Sequence, residues 1–271
     1  MKRRTIMIEH VEYPIALIGI AGRKDSGKDT VAQMIQYLIA RRGDDSDIYI
    51  QTAEFLGLTD NNWEAINNSQ PFKIKRFADK VKDMTCILLG CNRKQLEDRD
   101  YKETALGEES NYWIIDYDDF EFYGQEKFQT LEEALEKRKE LLLSYTNVSE
   151  PVLIKLTPKL VMQLLGTEGV RNNIHFNAWV ISTFDNFNKY TDHWIIPDVR
   201  FPNELEAIKK RGGLTIGITR TAIDSKEVVD YHSSETSLDE AVFDYVIDNS
   251  YDIEELLKQV KKILQEEGLL P

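Results

Sequence analysis

The segment Gly22-Arg-Lys-Asp-Ser-Gly27-Lys28-Asp29-Thr30 satisfies the pattern G-x-x-x-x-G-K. Glycines let a short loop wrap its backbone N–H groups around a phosphate, and a helix that follows adds the positive end of its dipole. In such a loop Lys28 reaches the β- and γ-phosphates of a nucleotide. The candidate ATP-binding residues are therefore Gly22, Lys24, Asp25, Ser26, Gly27, Lys28, Asp29 and Thr30. One position departs from the general motif. Asp29 follows the lysine where Ser or Thr usually offers a hydroxyl to Mg2+, and Thr30 comes one residue later. Asp29 either hydrogen-bonds the water shell of a magnesium ion or favours the helix N-terminus.

Moving a phosphoryl group between two nucleotides demands cations on developing oxygen charge and a second anchored phosphate. Asp198 falls just beyond an apolar run, at the carboxyl edge where ligands of doubly wound sheets bind. It holds Mg2+ through water or orients the acceptor phosphate; the alternative is a helix cap before Pro202 and Glu204. Arg200 and Arg171 are candidates to grip that phosphate, since guanidinium groups bind phosphate bidentately, with a surface ion pair as the alternative for Arg171. Arg220 follows the fourth apolar run as Arg200 follows the third. Arg76 and Lys82 flank the exit of the second run, and Asp79 between them contacts a sugar or base, or caps a helix. The candidates thus divide by role. Lys28, Asp198, Arg200 and Arg171 are catalytic; Arg76, Asp79, Lys82, Arg171, Arg200 and Arg220 hold the acceptor; Asp29, Thr30 and Asp198 hold metal through water. His232, beside Ser233 and Ser234, reads as a capping or packing residue, and no nucleophile elbow surrounds it.

Positioning these groups requires a regular frame. Residues 15–20 form a short apolar run of buried-strand length, and 30–42 places Val31, Ile35, Leu38 and Ile39 at helical spacing. Further strands are expected at 73–77, 193–197, 214–219 and 244–248. Helices are expected at 78–89, 93–99, 156–165, 177–187, 204–211 and 253–265, the last capped by Asp252. Residues 166–171 read as the loop joining two of these helices. Strands alternating with helices imply an α/β fold, a five-stranded parallel sheet with helices on both faces. The chain reads as one domain over 1–271, interrupted by a polar excursion at 44–70 and a helical, aromatic insertion at 100–156. Both are expected to form acceptor-site or lid elements, the aromatic residues of the insertion either offering stacking surfaces or packing onto its own domain. The insertion carries Tyr112, Trp113, Tyr117 and Phe120 together with a charged helix over 131–143.

A net charge of −13 argues against a nucleic-acid partner, which calls for a basic patch, while leaving a small nucleotide acceptable. No apolar run approaches the ~20 residues needed to span a membrane, and no secretory signal is expected behind Lys2, Arg3 and Arg4. Cys86 and Cys91 are too few for a disulfide framework or a zinc site and read as buried thiols. A cytoplasmic location follows. Small-molecule nucleotides are the expected partners, and a homodimer is compatible with the sequence.

Gly-Arg-Lys-Asp-Ser-Gly-Lys-Asp-Thr resembles the phosphate loop of phage deoxynucleoside monophosphate kinases, whose usual form is G-x-K-x-S-G-K-D-T. Similar segments follow in order: Arg76-Phe-Ala-Asp79 with Lys82; Leu164-Leu-Gly-Thr167-Glu-Gly-Val-Arg171 with Trp179; Asp198-Val-Arg-Phe-Pro-Asn-Glu204; and His232-Ser-Ser-Glu235 with Asp248-Asn249. The resemblance skips 44–70 and 100–156. It implies a P-loop kinase core that uses ATP and Mg2+ to phosphorylate a deoxynucleoside monophosphate, in a bacterial cell or a phage-infected host. Two other readings stand beside it. A dephospho-coenzyme A kinase shares the ending Asp-x-Val-Ile-x-Asn, although Asp29 counts against it. A regulatory nucleotide-binding protein with little turnover is the second.

Overall fold

The computed structural model describes residues 13–42, 44, 46–59, 70–107, 111–114, 152–220 and 237–271. They form two compact units, Met1–Lys80 with Asn177–Pro271, and Val81–Phe176.

The first unit is built on five parallel strands: β1 (Leu17–Gly22), β2 (Lys73–Ile74), β5 (Trp194–Val199), β6 (Leu214–Thr219) and β7 (Tyr245–Asp248). Their spatial order is β2-β5-β1-β6-β7. β1 sits at the centre because both of its faces must be covered: Ile18 and Ile20 enter one apolar cluster, Leu17 and Ala21 the other. A strand buried on both faces reads as an unbroken apolar run, which is why it was legible as one. On one face lie α1 (Lys28–Ala40), α2 (Ile48–Thr59) and α9 (Ile253–Glu266), contributing Ile35, Phe55, Leu257 and Val260. On the other lie α7 (Ala178–Phe184) and α8 (Pro202–Lys209), contributing Val180, Phe184, Leu205 and Ile208. Asp252 accepts a hydrogen bond from Glu255 N at 2.9 Å, the expected N-cap of α9.

α2 occupies the first half of the polar excursion at 44–70. Its inner face is narrow. Gln51 and Phe55, one turn apart, are buried, and the Phe55 ring meets that of Tyr37 edge-on at 5.7 Å. Tyr49, Ile50 and Leu56 remain exposed, so apolar residues circle the helix without marking its buried side. Asp198, expected just past the third core strand, lies within β5, which runs two residues further than its apolar stretch.

The second unit holds most of α3 (Ala78–Leu89), which starts in the first unit, with α4 (Arg93–Glu97) and α5 (Arg99–Glu103). It also holds the antiparallel pair β3 (Asn111–Ile114) and β4 (Val152–Lys155), and α6 (Pro158–Gln163). Asn92, Asp98 and Thr157 cap the three short helices with their side-chain oxygens. Residues 166–171, expected as a loop, are instead part of a π-helical segment, Leu164–Asn172, that continues α6. The wider turn spreads its residues over a new angular range and buries Val170 and Arg171. Cys86 and Cys91 are each partly exposed rather than buried. They face each other across the end of α3, where Gly90 adopts φ 64° and Cys91 N donates to Cys86 O at 3.1 Å. The expected helix at 131–143 and the aromatics Tyr117 and Phe120 lie outside the described residues, as do His232 and Glu235. Among the described residues, no helix is long and apolar enough to cross a membrane.

Candidate functional site

β1 delivers the chain to the carboxyl edge of the sheet, and α1 carries it away; the nine residues from Gly22 to Thr30 make the reversal. Two positive φ angles fall on glycine, 155° at Gly22 and 99° at Gly27, and one on Asp25, 62°. Aspartate is among the few side chains that tolerate that region. A Cβ on Gly22 would sit 2.7 Å from both Ile218 O and Ser26 Oγ, so the loop closes against β6 only without one. Gly27 is the N-cap residue of α1 and supplies no side-chain cap. Helix starts of this kind receive anions.

The loop carbonyls are turned towards side-chain donors. Lys28 Nζ donates to Gly22 O at 2.7 Å and to Arg23 O at 2.5 Å. Arg220 Nη1 donates to Asp25 O at 3.3 Å. Asn249 Nδ2, from the loop after β7, donates to Ser26 O at 2.8 Å. Arg220 therefore reaches the phosphate loop itself.

Across the sheet edge, towards β2, the acidic and basic candidates interlock. Arg76 Nη2 lies 2.6 Å from Asp29 Oδ1. Burial works against the Arg76 cation, but Asp29, Asp198 and Asp79 hold its proton more tightly than usual. Asp198 accepts Phe77 N at 3.0 Å on one oxygen and Ala78 N at 2.9 Å on the other, and so caps α3. Burial lifts its carboxyl above the ordinary aspartate range, against the pull of the Ala78 N–H, Arg76, the Phe77 N–H and Arg200. The cap anticipated from the sequence was on the helix at Pro202, and there Glu204 takes that part, accepting Arg200 N at 2.9 Å and Phe201 N at 3.1 Å. Asp79 accepts Arg76 N at 3.0 Å, the geometry of a carboxylate at a helix start.

A cavity of about 360 Å3 opens at the carboxyl ends of β1, β5 and β6. Its lining includes Gly22, Arg23, Arg200, Thr219, Asp239 and Phe243, with Arg23 and Asp239 paired at 3.0 Å. Arg200 thus faces space large enough for a small ligand. Lys82 and Arg171 belong to the second unit. Lys82 pairs with Glu97 at 2.6 Å. Arg171 is only 4% exposed, so it does not lie at the surface, and its guanidinium lies 4.6 Å from the ring centre of Phe176.

Among the described residues no three His, Cys, Asp or Glu side chains cluster as a metal cage. Magnesium seldom requires one; it keeps several waters and takes one or two carboxylates plus substrate phosphates. Asp29, whose side chain is 68% exposed, and Thr30 beside it in the first turn of α1 fit that mode. Both oxygens of Asp198 already accept backbone N–H groups, which fits an outer position reached through water.

No local pattern in the sequence marks Arg23 and Asp239 as wall residues or Asn249 as a support of the loop. The position of Asn249, directly after a core strand at the carboxyl edge, was the available signal.

A family model described as deoxynucleotide monophosphate kinase matches residues 16–260. A deoxynucleotide monophosphate kinase of Enterobacteria phage T4 is 33% identical over 109 residues, covering 39% of this chain and 44% of that protein. The corresponding protein of Escherichia phage RB69 is 30% identical over 109 residues, covering 39% of this chain and 43% of that protein. A deoxynucleoside-5'-monophosphate kinase of Escherichia phage T5 is 26% identical over 218 residues, covering 73% of each chain. The aligned region thus spans less than half of the T4 and RB69 proteins.

Proposed function

The chain belongs to the deoxynucleotide monophosphate kinase family, and from that membership we propose that it transfers the γ-phosphoryl group of ATP to a deoxynucleoside monophosphate, giving the diphosphate and ADP. The observation that carries this reading is the loop Gly22–Thr30, with its carbonyls turned onto Lys28, Arg220 and Asn249. A loop so arranged presents N–H groups rather than oxygens to an anion.

In the proposed mechanism Lys28 exchanges its two loop carbonyls for the β- and γ-phosphate oxygens of the donor. Arg76, steadied by Asp29, and Arg200, at the wall of the cavity, grip the acceptor phosphate and spread charge as it develops on the transferring group. Arg220 stands close enough to the loop to serve the donor side. Asp198 sets the start of α3 and through it the course of Arg76 and Asp79. Arg171 and Lys82 are assigned to the acceptor by residue type and by their places in the sequence. A magnesium ion, carried in with ATP, would neutralise the phosphates, and Asp29, Thr30 and, through water, Asp198 are the residues that would meet it.

The test is ADP release with each deoxynucleoside monophosphate, with dephospho-coenzyme A and with no acceptor. Turnover with at least one deoxynucleoside monophosphate is expected. Turnover with dephospho-coenzyme A alone, turnover independent of acceptor, or none at all would overturn the assignment.

A further inference from the structure

We propose that Asn249 is a positioning residue for the phosphate cradle, fixing the Ser26–Gly27 peptide so that the Gly27 N–H is presented to the donor phosphate; this rests on the function proposed above. A trans peptide is planar, with its C=O and N–H pointing in opposite directions. No cis bond occurs among the described residues, so the bond from Asn249 Nδ2 to Ser26 O turns the Gly27 N–H away from Asn249.

Three further observations carry the assignment. First, Gly27 and Asn249 are matched in shape. A Cβ at Gly27 would collide with the Asn249 amide, so the glycine of the motif leaves the space that the asparagine occupies. Second, the support is rigid. Asn249 N donates to Thr219 O at 2.9 Å, and the residue before it is gripped twice by Gln259 of α9, which accepts Asp248 N at 3.2 Å and donates to Asp248 O at 3.0 Å. Third, Lys28 also restrains the loop, but through Gly22 O and Arg23 O, and it must leave them to reach a phosphate. Asn249 has no such competing task. Its bond persists when the loop is loaded and holds the peptide that opens α1.

The experiment measures ATP binding, with Mg2+ and without acceptor, by titration calorimetry on the whole chain and on the Asn249→Asp and Asn249→Ala variants. Aspartate has the shape of asparagine but no N–H to donate, and alanine, which adds no charge, shows that a shared loss is not repulsion of the phosphates. Both variants should bind ATP about tenfold more weakly, the equivalent of one lost hydrogen bond. The KM of the deoxynucleoside monophosphate should stay near the parent value, and the melting temperature should fall by no more than a few degrees, as the loss of one hydrogen bond allows. If the parent chain binds no ATP, the functional assignment fails. If the parent binds and Asn249→Asp binds equally well, the assignment survives and the role given to Asn249 falls. A larger fall in melting temperature with both substrates weakened in step would also overturn it, by making Asn249 a general strut. Should the alanine variant fail to fold, Asn249→Leu, neutral and close to asparagine in size, takes its place.

Discussion

Asp29 Oδ1 sits 2.6 Å from Arg76 Nη2, tying the residue after the cradle lysine to the exit of β2. The donor side and the proposed acceptor side of the site therefore share an ion pair. The Asp29 side chain is 68% exposed, and so open a pair contributes at most about 1 kcal/mol to folding. Its consequence lies in orientation. Arg76→Ala should raise the KM of the deoxynucleoside monophosphate by roughly tenfold or more, from the loss of a charged hydrogen bond. Asp29→Asn should raise it less, and the double variant should be no worse than Arg76→Ala. Fully additive effects would mean that the two act independently.

Lys28→Ala should lower kcat by about 10²–10³-fold, the usual cost of removing one charge-stabilising donor. Circular dichroism and melting temperature should barely change, since the two carbonyls released lie in a partly open loop. Steady-state kinetics on a variant that retains full activity would take the loop out of the mechanism.

Asp198→Ala should destabilise the protein by roughly 2–4 kcal/mol, because the Phe77 and Ala78 N–H groups lose their acceptors. The pH dependence has a defined sign. The native carboxyl titrates above its unfolded value, so between the two the native state binds more protons. Its stability contribution is fully present below the unfolded value of about 3.9 and is lost as pH rises through the native one. Urea unfolding of the parent and Asp198→Asn between pH 4 and 7 should show the parent's relative stability falling as pH rises. A flat or rising difference would contradict the burial assigned to Asp198.

Phe55→Ala should cost about 3–5 kcal/mol in urea unfolding, as expected for an aromatic ring removed from a packed core. A loss below about 1 kcal/mol would mean that α2 does not belong to the main core.

Much of the frame was readable because its signals are local. The apolar run at β1, the glycines and lysine beyond it, and the periodic face of α1 lie within a few consecutive turns of chain. The five strands followed from the same kind of evidence. Three features were hidden for distinct reasons. Asn249 meets Ser26 across 223 residues, a separation that no local pattern encodes. The buried stripe of α2 amounts to Gln51, Thr52 and Phe55, too little to stand out among exposed Tyr49, Ile50 and Leu56. The π-helical segment has glycines at 166 and 169, which by propensity alone suggest a loop. Among site residues, the positions of Arg76, Arg200 and Arg220 at strand exits were foreseeable. That Asp198 spends both oxygens on backbone N–H groups was not, since the choice is made by tertiary packing.

The pairing of β1 bears on how the protein is made. β1 ends at Gly22, yet its two neighbours are β5, beginning at Trp194, and β6, beginning at Leu214. A ribosome releases the cradle's strand well before its partners, so in the interval an apolar segment waits without a sheet to join. Contacts of such long sequence separation slow folding and expose sticky surface meanwhile. The nascent chain should therefore lean on chaperones until β6 emerges, and the phosphate loop should be among the last parts to acquire its final shape.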